Sequence, residues 1–226
     1  MELKSENLPN LFLADTSNEI DSFEQWLNQR NGRFTASEIY RILTYQEKPD
    51  YISAGALSYI EEKALEVLTN GKSRKTFFNL SMKHGKTFEL EAIAKAEEKL
   101  IIKFEKTGKD QEFIEYGSHA GCTPDGLSEK LGIEVKCPDC KTHFKYLKIK
   151  NQEDLKRTEP KYYWQIQKGM LCTGLKQWYF VSYDPRFTNE KNQLLTLLIH
   201  ENDKDIEFLK QRLKLAISKK IELINQ

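Results

Sequence analysis

In the stretch TPDGLSEKLGIEVKCP, residues 123–138, an acid and a base lie on one side of a strand-like segment. Gly132-Ile133-Glu134-Val135-Lys136 alternates with the period of a β-strand, so Ile133 and Val135 share one face and Glu134 and Lys136 the other. Turn formers on both sides make the segment short and interior. Either the two charges neutralise each other on a half-exposed strand, or they face a third party. Asp125 bears on the choice, because it stands in a Pro-Asp-Gly turn leading toward the strand, and a hairpin would bring its side chain near Glu134. Two converging carboxylates beside oxygen-rich backbone suit a hard divalent cation such as Mg²⁺. A neighbouring ammonium can hold or deprotonate an attacking water.

A third acid is available in HGKTFELEAIAKAEEKL. Glu89 falls on the helical stripe of Gly85, Ala92, Ile93, Ala96 and Leu100, whereas Glu91, Lys95, Glu98 and Lys99 mostly lie elsewhere around the axis. An acid among apolar positions needs a partner inside, or reaches solvent from the stripe's edge. Three acids and a lysine facing one point describe a metal-dependent phosphodiesterase centre, in which water attacks in line and cationic charge stabilises the attacking and leaving oxygens. The four histidines (His84, His119, His143, His200) are scattered and no His-Glu-x-x-His occurs, which argues against a histidine-based metal centre.

The elements that must position these groups follow from pattern. Ser22 to Asn28 reads as a short helix with Ser22 and Gln25 spaced as a capping box. Thr35-Ala36-Ser37-Glu38 reads as a second box opening an apolar-periodic helix through Leu43. Helices are expected over 53–68, ended by Asn70-Gly71, and over 81–100, with a basic connector (Lys72, Arg74, Lys75) between them. Strand-like runs follow at 100–104, 112–116, 119–123 and 131–136. Then come a helix over 159–173, the strands QWYFVSYD and NQLLTLLIH, and a surface helix over 203–224 with a buried stripe. This order implies an α/β (α+β) fold in one domain, residues 1–226, with a mixed sheet flanked by helices. Residues 1–20 read as a polar N-terminal arm and 203–226 as a C-terminal helix.

Composition limits the function classes. The 226 residues are 39% apolar and 11% aromatic, enough for one well-packed core. No apolar run is long enough to span a membrane, and the N-terminal residues lack a basic region followed by an apolar run, so no signal peptide is expected. With no export signal, the four cysteines (Cys122, Cys137, Cys140, Cys172) are expected as reduced thiols in a cytosol. Cys137-Pro-Asp-Cys140 without a second pair is a weak zinc signal, and neither zinc nor an iron–sulfur cluster is expected. A net charge of +1 excludes a bulk polycation. Locally, Lys136, Lys141, Lys145, Lys148, Lys150, Lys156, Arg157 and Lys161 face only four acids, with Phe144, Tyr146, Tyr162, Tyr163 and Trp164 among or just beyond them. That interleaving suits a phosphate backbone; a solvated lysine-rich loop would look the same.

Four blocks in order, WLNQRNGRFTASEI (26–39), HGKTFELEA (84–92), GCTPDGLSEKLGIEVKCP (121–138) and YYWQIQKGML…QWYFVSYDPRF (162–187), resemble the phage lambda exonuclease family, the viral-recombinase branch of the PD-(D/E)xK nucleases. The resemblance implies a restriction-endonuclease-like core with a central mixed β-sheet. It implies that Asp125, Glu134 and the carbonyl of Val135 bind Mg²⁺ (with Mn²⁺ tolerated), that Glu89 completes the shell, and that Lys136 is the catalytic lysine. Gln165 matches the family's active-site glutamine, with Tyr162 one turn earlier in support. Arg30 matches the arginine that grips the 5′-terminal phosphate, and Ser37 and Thr123 match assisting hydroxyls, Thr123 standing where the family has serine. The helix opening at Thr35, with Arg30 and Arg33 just upstream, independently suits an anion. Met82 falls where the family places an apolar wedge that splits the terminal base pair.

The same resemblance implies a Mg²⁺-dependent 5′→3′ exonuclease that acts at ends of double-stranded DNA as a ring of three subunits. It would release 5′-mononucleotides and leave a 3′ single strand for an annealing recombinase, in the cytoplasm of a bacterial host and encoded by a phage or prophage. Two alternatives are a PD-(D/E)xK endonuclease of restriction or repair type, which would cut closed circles, and a non-catalytic DNA-binding module, which has little use for Asp125, Glu134 and Lys136 together.

Overall fold

The structure, a computed structural model, describes residues 25–45, 47, 48, 50–74 and 80–226, the side chains of 80–86 excepted. The expected arm (1–20), the capping residue Ser22 and the side chain of Met82 lie outside the described residues. A short helix, α1, covers residues 25–29. It leads into strand β1 (Phe34–Thr35) and a 3₁₀ helix (Ala36–Ile42). The capping box expected at Thr35 does not form: Thr35 makes no side-chain cap bond, and Glu38 pairs instead with Arg41. Thr35 is a strand residue that serves β1, so the following turn tightens rather than opening an α-helix.

Helix α2 (Ala54–Leu68) begins with Ser53 Oγ accepting the N–H of Ala56 at 3.2 Å. It ends as the sequence implies, with Asn70 and Gly71 in left-handed conformation and the Gly71 N–H returning to the carbonyl of Glu66 at 2.7 Å. Helix α3 (Leu80–Leu100) follows. The strand expected over 100–104 is absent. Chain pairing there is reduced to one bridge, Glu105 with Leu127, and Phe104 gives its N–H to the Glu97 carboxylate at 2.8 Å rather than to a ladder.

Strands β2 (Ile114–Tyr116), β3 (Ala120–Cys122), β4 (Gly126–Leu127) and β5 (Gly132–Lys136) come next. The lysine-rich stretch then folds into two helices, α4 (Cys140–Tyr146) and α5 (Gln152–Thr158), rather than a loop. Asp139 and Asn151 cap them through the N–H groups of Thr142 and Asp154, at 3.0 and 2.9 Å. Helix α6 (Pro160–Thr173), strands β6 (Gln177–Tyr183) and β7 (Leu194–His200), and helix α7 (Asp203–Ile224) complete the described chain.

The mixed sheet is present as two. One has the order β1-β3-β2 and the other β4-β5-β6-β7. In the first, β1 runs parallel to β3; in the second, β5 runs parallel to β6 while β4 and β7 are antiparallel to their neighbours. The segment Thr123-Pro124-Asp125 is all that joins β3 of one sheet to β4 of the other.

Strand β5 is central in its sheet and buried on both faces as far as Val135, so Glu134 is not on a solvated outer face. Trp178 of β6 fills a slot between Gly132 of β5 and Gly169 of α6. A Cβ on Gly132 would lie 2.4 Å from the indole, and one on Gly169 2.9 Å from it. Helix α7 buries Ile206, Leu209, Leu213 and Ala216 as its periodicity predicts. It also buries two cations that the apolar stripe does not reveal. Arg212 donates to the carbonyl of Ile42 at 2.8 Å, and Lys220 to that of Gly32 at 2.7 Å. Both fasten α7 to the loops at either end of the segment β1–3₁₀ helix.

Since the slot has no spare room, Gly132→Ala should overpack it and lower stability by roughly 1–3 kcal/mol. A urea midpoint equal to that of the wild-type protein would show that Trp178 can retreat.

Candidate active site

The register of β4 and β5 pairs Gly126 with Ile133 and Leu127 with Gly132. Continued by one residue, it sets Asp125 opposite Glu134, as directly facing cross-strand neighbours. β4 stops at Gly126, and from there the Asp125 carboxylate replaces the missing strand: its Oδ2 accepts the N–H of Val135 at 2.6 Å. The turn residues at 123–125 thus send one acid back to the strand that carries the other.

Glu134 is almost wholly buried, with 3% of its side chain exposed, and it is paired with Lys136 on the same face of β5. Burial raises the Glu134 carboxyl to about 8, Asp125 pushes it in the same direction, and Lys136 opposes both, with Glu89 adding to the rise. Asp125 is raised too, by burial first, against Lys136 and the Val135 N–H. For Lys136 burial favours the neutral amine, but Glu134 and Asp125 together outweigh it and hold the ammonium above its ordinary range. With one lysine between two buried acids, the Glu134 carboxyl tends to keep its proton, and a bound cation could take that proton's place.

The remaining sequence candidates fall around this centre. The ammonium of Lys136 lies 5.1 Å from the ring centroid of Tyr162, on α6. Gln165 is one turn further along α6 and half-buried, and its side-chain amide makes no hydrogen bond to the described residues. Glu89, half-buried on α3, accepts from Gln111 Nε2 at 2.8 Å, a partner that no local pattern singles out. The stripe residues Ala92, Ile93 and Ala96 are buried against Ile133 and Val135, as the helical spacing implies.

A second set of groups gathers at β1 and β3. Their parallel pairing brings the loop before β1 beside the end of β3, and there Arg30 donates to the hydroxyl of Thr123 and, at 2.7 Å, to the carbonyl of Trp26. Its guanidinium stacks over Trp26 at 3.8 Å and lies 5.0 Å from Phe113. Burial lowers the Arg30 pKa to about 10, with Arg74 contributing. Trp26 stands one helical turn before Arg30, a spacing visible in the sequence; Phe113 gave no such signal. Ser37 is exposed, and its Oγ lies 3.4 Å from Thr35 Oγ1; no bond joins it to Arg30 or Thr123.

The donors suit a hard divalent ion: two opposed carboxyls and the carbonyl of Val135, all oxygen. As they stand, Asp125 caps a backbone N–H and Glu134 holds Lys136, and among the described residues no three His, Cys, Asp or Glu side chains form a ready-made cage. Cys137 packs in the core with its thiol pushed up to about 12 by burial, while Cys140 at the start of α4 hydrogen-bonds Asp184. The two cysteines therefore serve separate surroundings.

A family model described as a YqaJ-like viral recombinase domain matches residues 25–176, more than half of the chain. The chain belongs to the YqaJ-like viral recombinase family. As a member of that family it is similar in structure to the alkaline exonuclease LHK-Exo from Laribacter hongkongensis. The TM-score is 0.74 at 25% identity, covering 89% of this chain and 94% of that one. A structure of LHK-Exo in complex with dAMP matches equally well, with a TM-score of 0.74. The fold is also shared with a phage-related exonuclease from Haemophilus somnus 129PT, with a TM-score of 0.68 at 17% identity over 85% of this chain and 95% of that one. Comparison with curated proteins returns no match. This family member therefore has the PD-(D/E)xK-like fold, and its resemblance to the lambda exonuclease family is supported by family model and structure alike.

Opposed like charges make the centre a locally unfavourable arrangement. Asp125→Asn keeps an oxygen for the Val135 N–H and removes one of them. In metal-free buffer it should be as stable as the wild-type protein or up to about 1 kcal/mol more stable by urea titration. A clear loss of stability would mean that Asp125 acts as a structural anion.

Proposed function

We propose that this viral-recombinase nuclease is a Mg²⁺-dependent 5′→3′ exonuclease. On this reading it digests one strand of linear double-stranded DNA to 5′-mononucleotides and leaves a 3′ tail for a single-strand annealing recombinase. The observation that carries the reading is the strap Thr123-Pro124-Asp125. One end touches the Arg30 guanidinium and the other enters the buried carboxyl pair. Two residues of extended chain span about 7 Å, the reach of one nucleotide. A terminal phosphate held at Arg30 and Thr123 would place the next phosphodiester against Asp125 and Glu134.

The geometry is consistent with the following roles. Asp125, Glu134 and the carbonyl of Val135 would hold the ion, with Glu89, kept in place by Gln111, completing its surroundings. Mg²⁺ there, or Mn²⁺ in its stead, supplies Lewis-acid charge for the attacking and leaving oxygens. Lys136, kept protonated by its two acids, acts as a fixed cation beside the reacting phosphate rather than as a base. Tyr162 supports that ammonium from α6, and the Gln165 amide has hydrogen-bonding capacity left for water or phosphate. The exposed lysines of α4 and of the loop between α4 and α5 (Lys141, Lys145, Lys148, Lys150) would give the duplex backbone a track. Ser37 as a further phosphate-binding hydroxyl, Met82 as the strand-splitting wedge, a ring of three subunits, the annealing partner and work in a bacterial cytoplasm rest on the family resemblance.

Incubation with linear and closed circular duplexes, with and without Mg²⁺, tests the reading. Linear DNA should lose its 5′-ended strands as mononucleotides only with the ion present, and closed circles should survive. Cleavage of closed circles would establish an endonuclease instead. Asp125→Ala and Lys136→Ala should each reduce digestion at least about a thousandfold while retaining binding to DNA ends. Mass measurement at working concentration should give three subunits; a monomer would remove the ring.

A further inference from the structure

The basic connector after α2 has no role in the mechanism above, yet it returns to the Arg30 loop. Gly71, at φ +82°, closes the turn so tightly that a Cβ there would meet Asn31 Oδ1 at 3.3 Å and the Arg74 guanidinium at 3.9 Å. Arg74 in turn donates to Asn31 Oδ1 at 2.8 Å, directly beside Arg30 in sequence, and only 15% of its side chain is exposed. Its nearest acid is Glu66, at 3.9 Å. Glu66 is already engaged: Oε1 accepts from Lys63 at 2.7 Å and Oε2 from the Gly32 N–H at 2.8 Å. Lys220 adds a further cation at the Gly32 carbonyl, while Arg33 has its own acid in Glu115. Lys63 and Arg74 therefore share one carboxylate, and among the described residues neither Arg30 nor Lys220 contacts one.

We infer that Arg74 is a second guanidinium of the Arg30–Thr123 pocket and sets the preference for a 5′-phosphorylated end. This rests on the reading of that pocket as the site of the terminal phosphate. The chemistry supports a pair of guanidinium groups. An internal phosphodiester carries one negative charge, whereas a terminal phosphate monoester carries between about 1.5 and 2 at neutral pH. A single buried arginine matches the first, and a surplus of two cationic forks matches the second. The mutual repulsion of Arg30 and Arg74 lowers the Arg30 pKa along with burial, and a dianion between them would relieve it. Asn31, a neutral acceptor, aims the Arg74 fork without cancelling its charge.

The test compares kcat/KM on duplexes that differ only in a 5′-phosphate or 5′-hydroxyl end, for the wild-type protein, Arg74→Gln, Arg74→Lys and Arg30→Gln. Both substrates are read with one preparation, so the ratio is independent of the fraction folded. Arg74→Gln should lower the phosphate-to-hydroxyl ratio about tenfold, Arg74→Lys should recover part of it, and Arg30→Gln should lower it as well. If Arg74→Gln keeps the wild-type ratio while Arg30→Gln loses it, the inference about Arg74 fails and the pocket stands. If the wild-type protein shows no preference, the pocket reading fails and Arg74 with it.

Discussion

Two carboxyls that face each other inside a sheet are the constraint on which the rest of the site depends. Burial disfavours each as a charged group, and Asp125 pushes the pKa of Glu134 up further. Folding without a purpose for them would replace one by an apolar residue, since an unpaired buried charge costs several kcal/mol. The chain instead surrounds the pair with partial remedies: a backbone N–H for Asp125 and an ammonium for Glu134. These remedies leave room for one more positive charge. A site that is complete only with a guest is the physical meaning of the D-x(8)-E-x-K spacing.

Much of this was legible in the residues. Alternation in Gly132–Lys136 identified the strand and the face shared by Glu134 and Lys136. The Pro-Asp-Gly turn placed Asp125 on the returning arm, and the stripe around Ala92 and Ala96 turned Glu89 inward. What escaped was decided by tertiary competition. Thr35 has a cap's sequence context but is taken by the pairing of β1 with β3, so an α-helix became a 3₁₀ helix. Ile101 to Phe104 is strand-like in composition, yet Glu97 supplies the hydrogen bond that a neighbouring strand would have given. Burial of Arg212 and Lys220 could not be read from α7 either, because their partners are carbonyls far away in the chain.

The anion side of the site shows a different economy of means. Arg30 is held by a carbonyl, a hydroxyl and two aromatic rings, none of which carries a formal charge. Such a setting fixes direction without neutralising the guanidinium, so its field remains available to a ligand. The carboxyl pair is arranged by the opposite logic, with two acids crowded at the far end of a strap of three residues and burial holding back their ionisation.

Trp178 never touches the site, but it lies between Gly132, which begins the strand of Glu134 and Lys136, and Gly169, on the helix of Tyr162 and Gln165. One indole ring is therefore the shim that gauges the gap between the strand and helix bearing those groups. The tolerance of the reactive centre is thus set by a flat aromatic ring in the interior, and neutral drift at either glycine would be registered as a misaligned centre before it was registered as an unfolded protein.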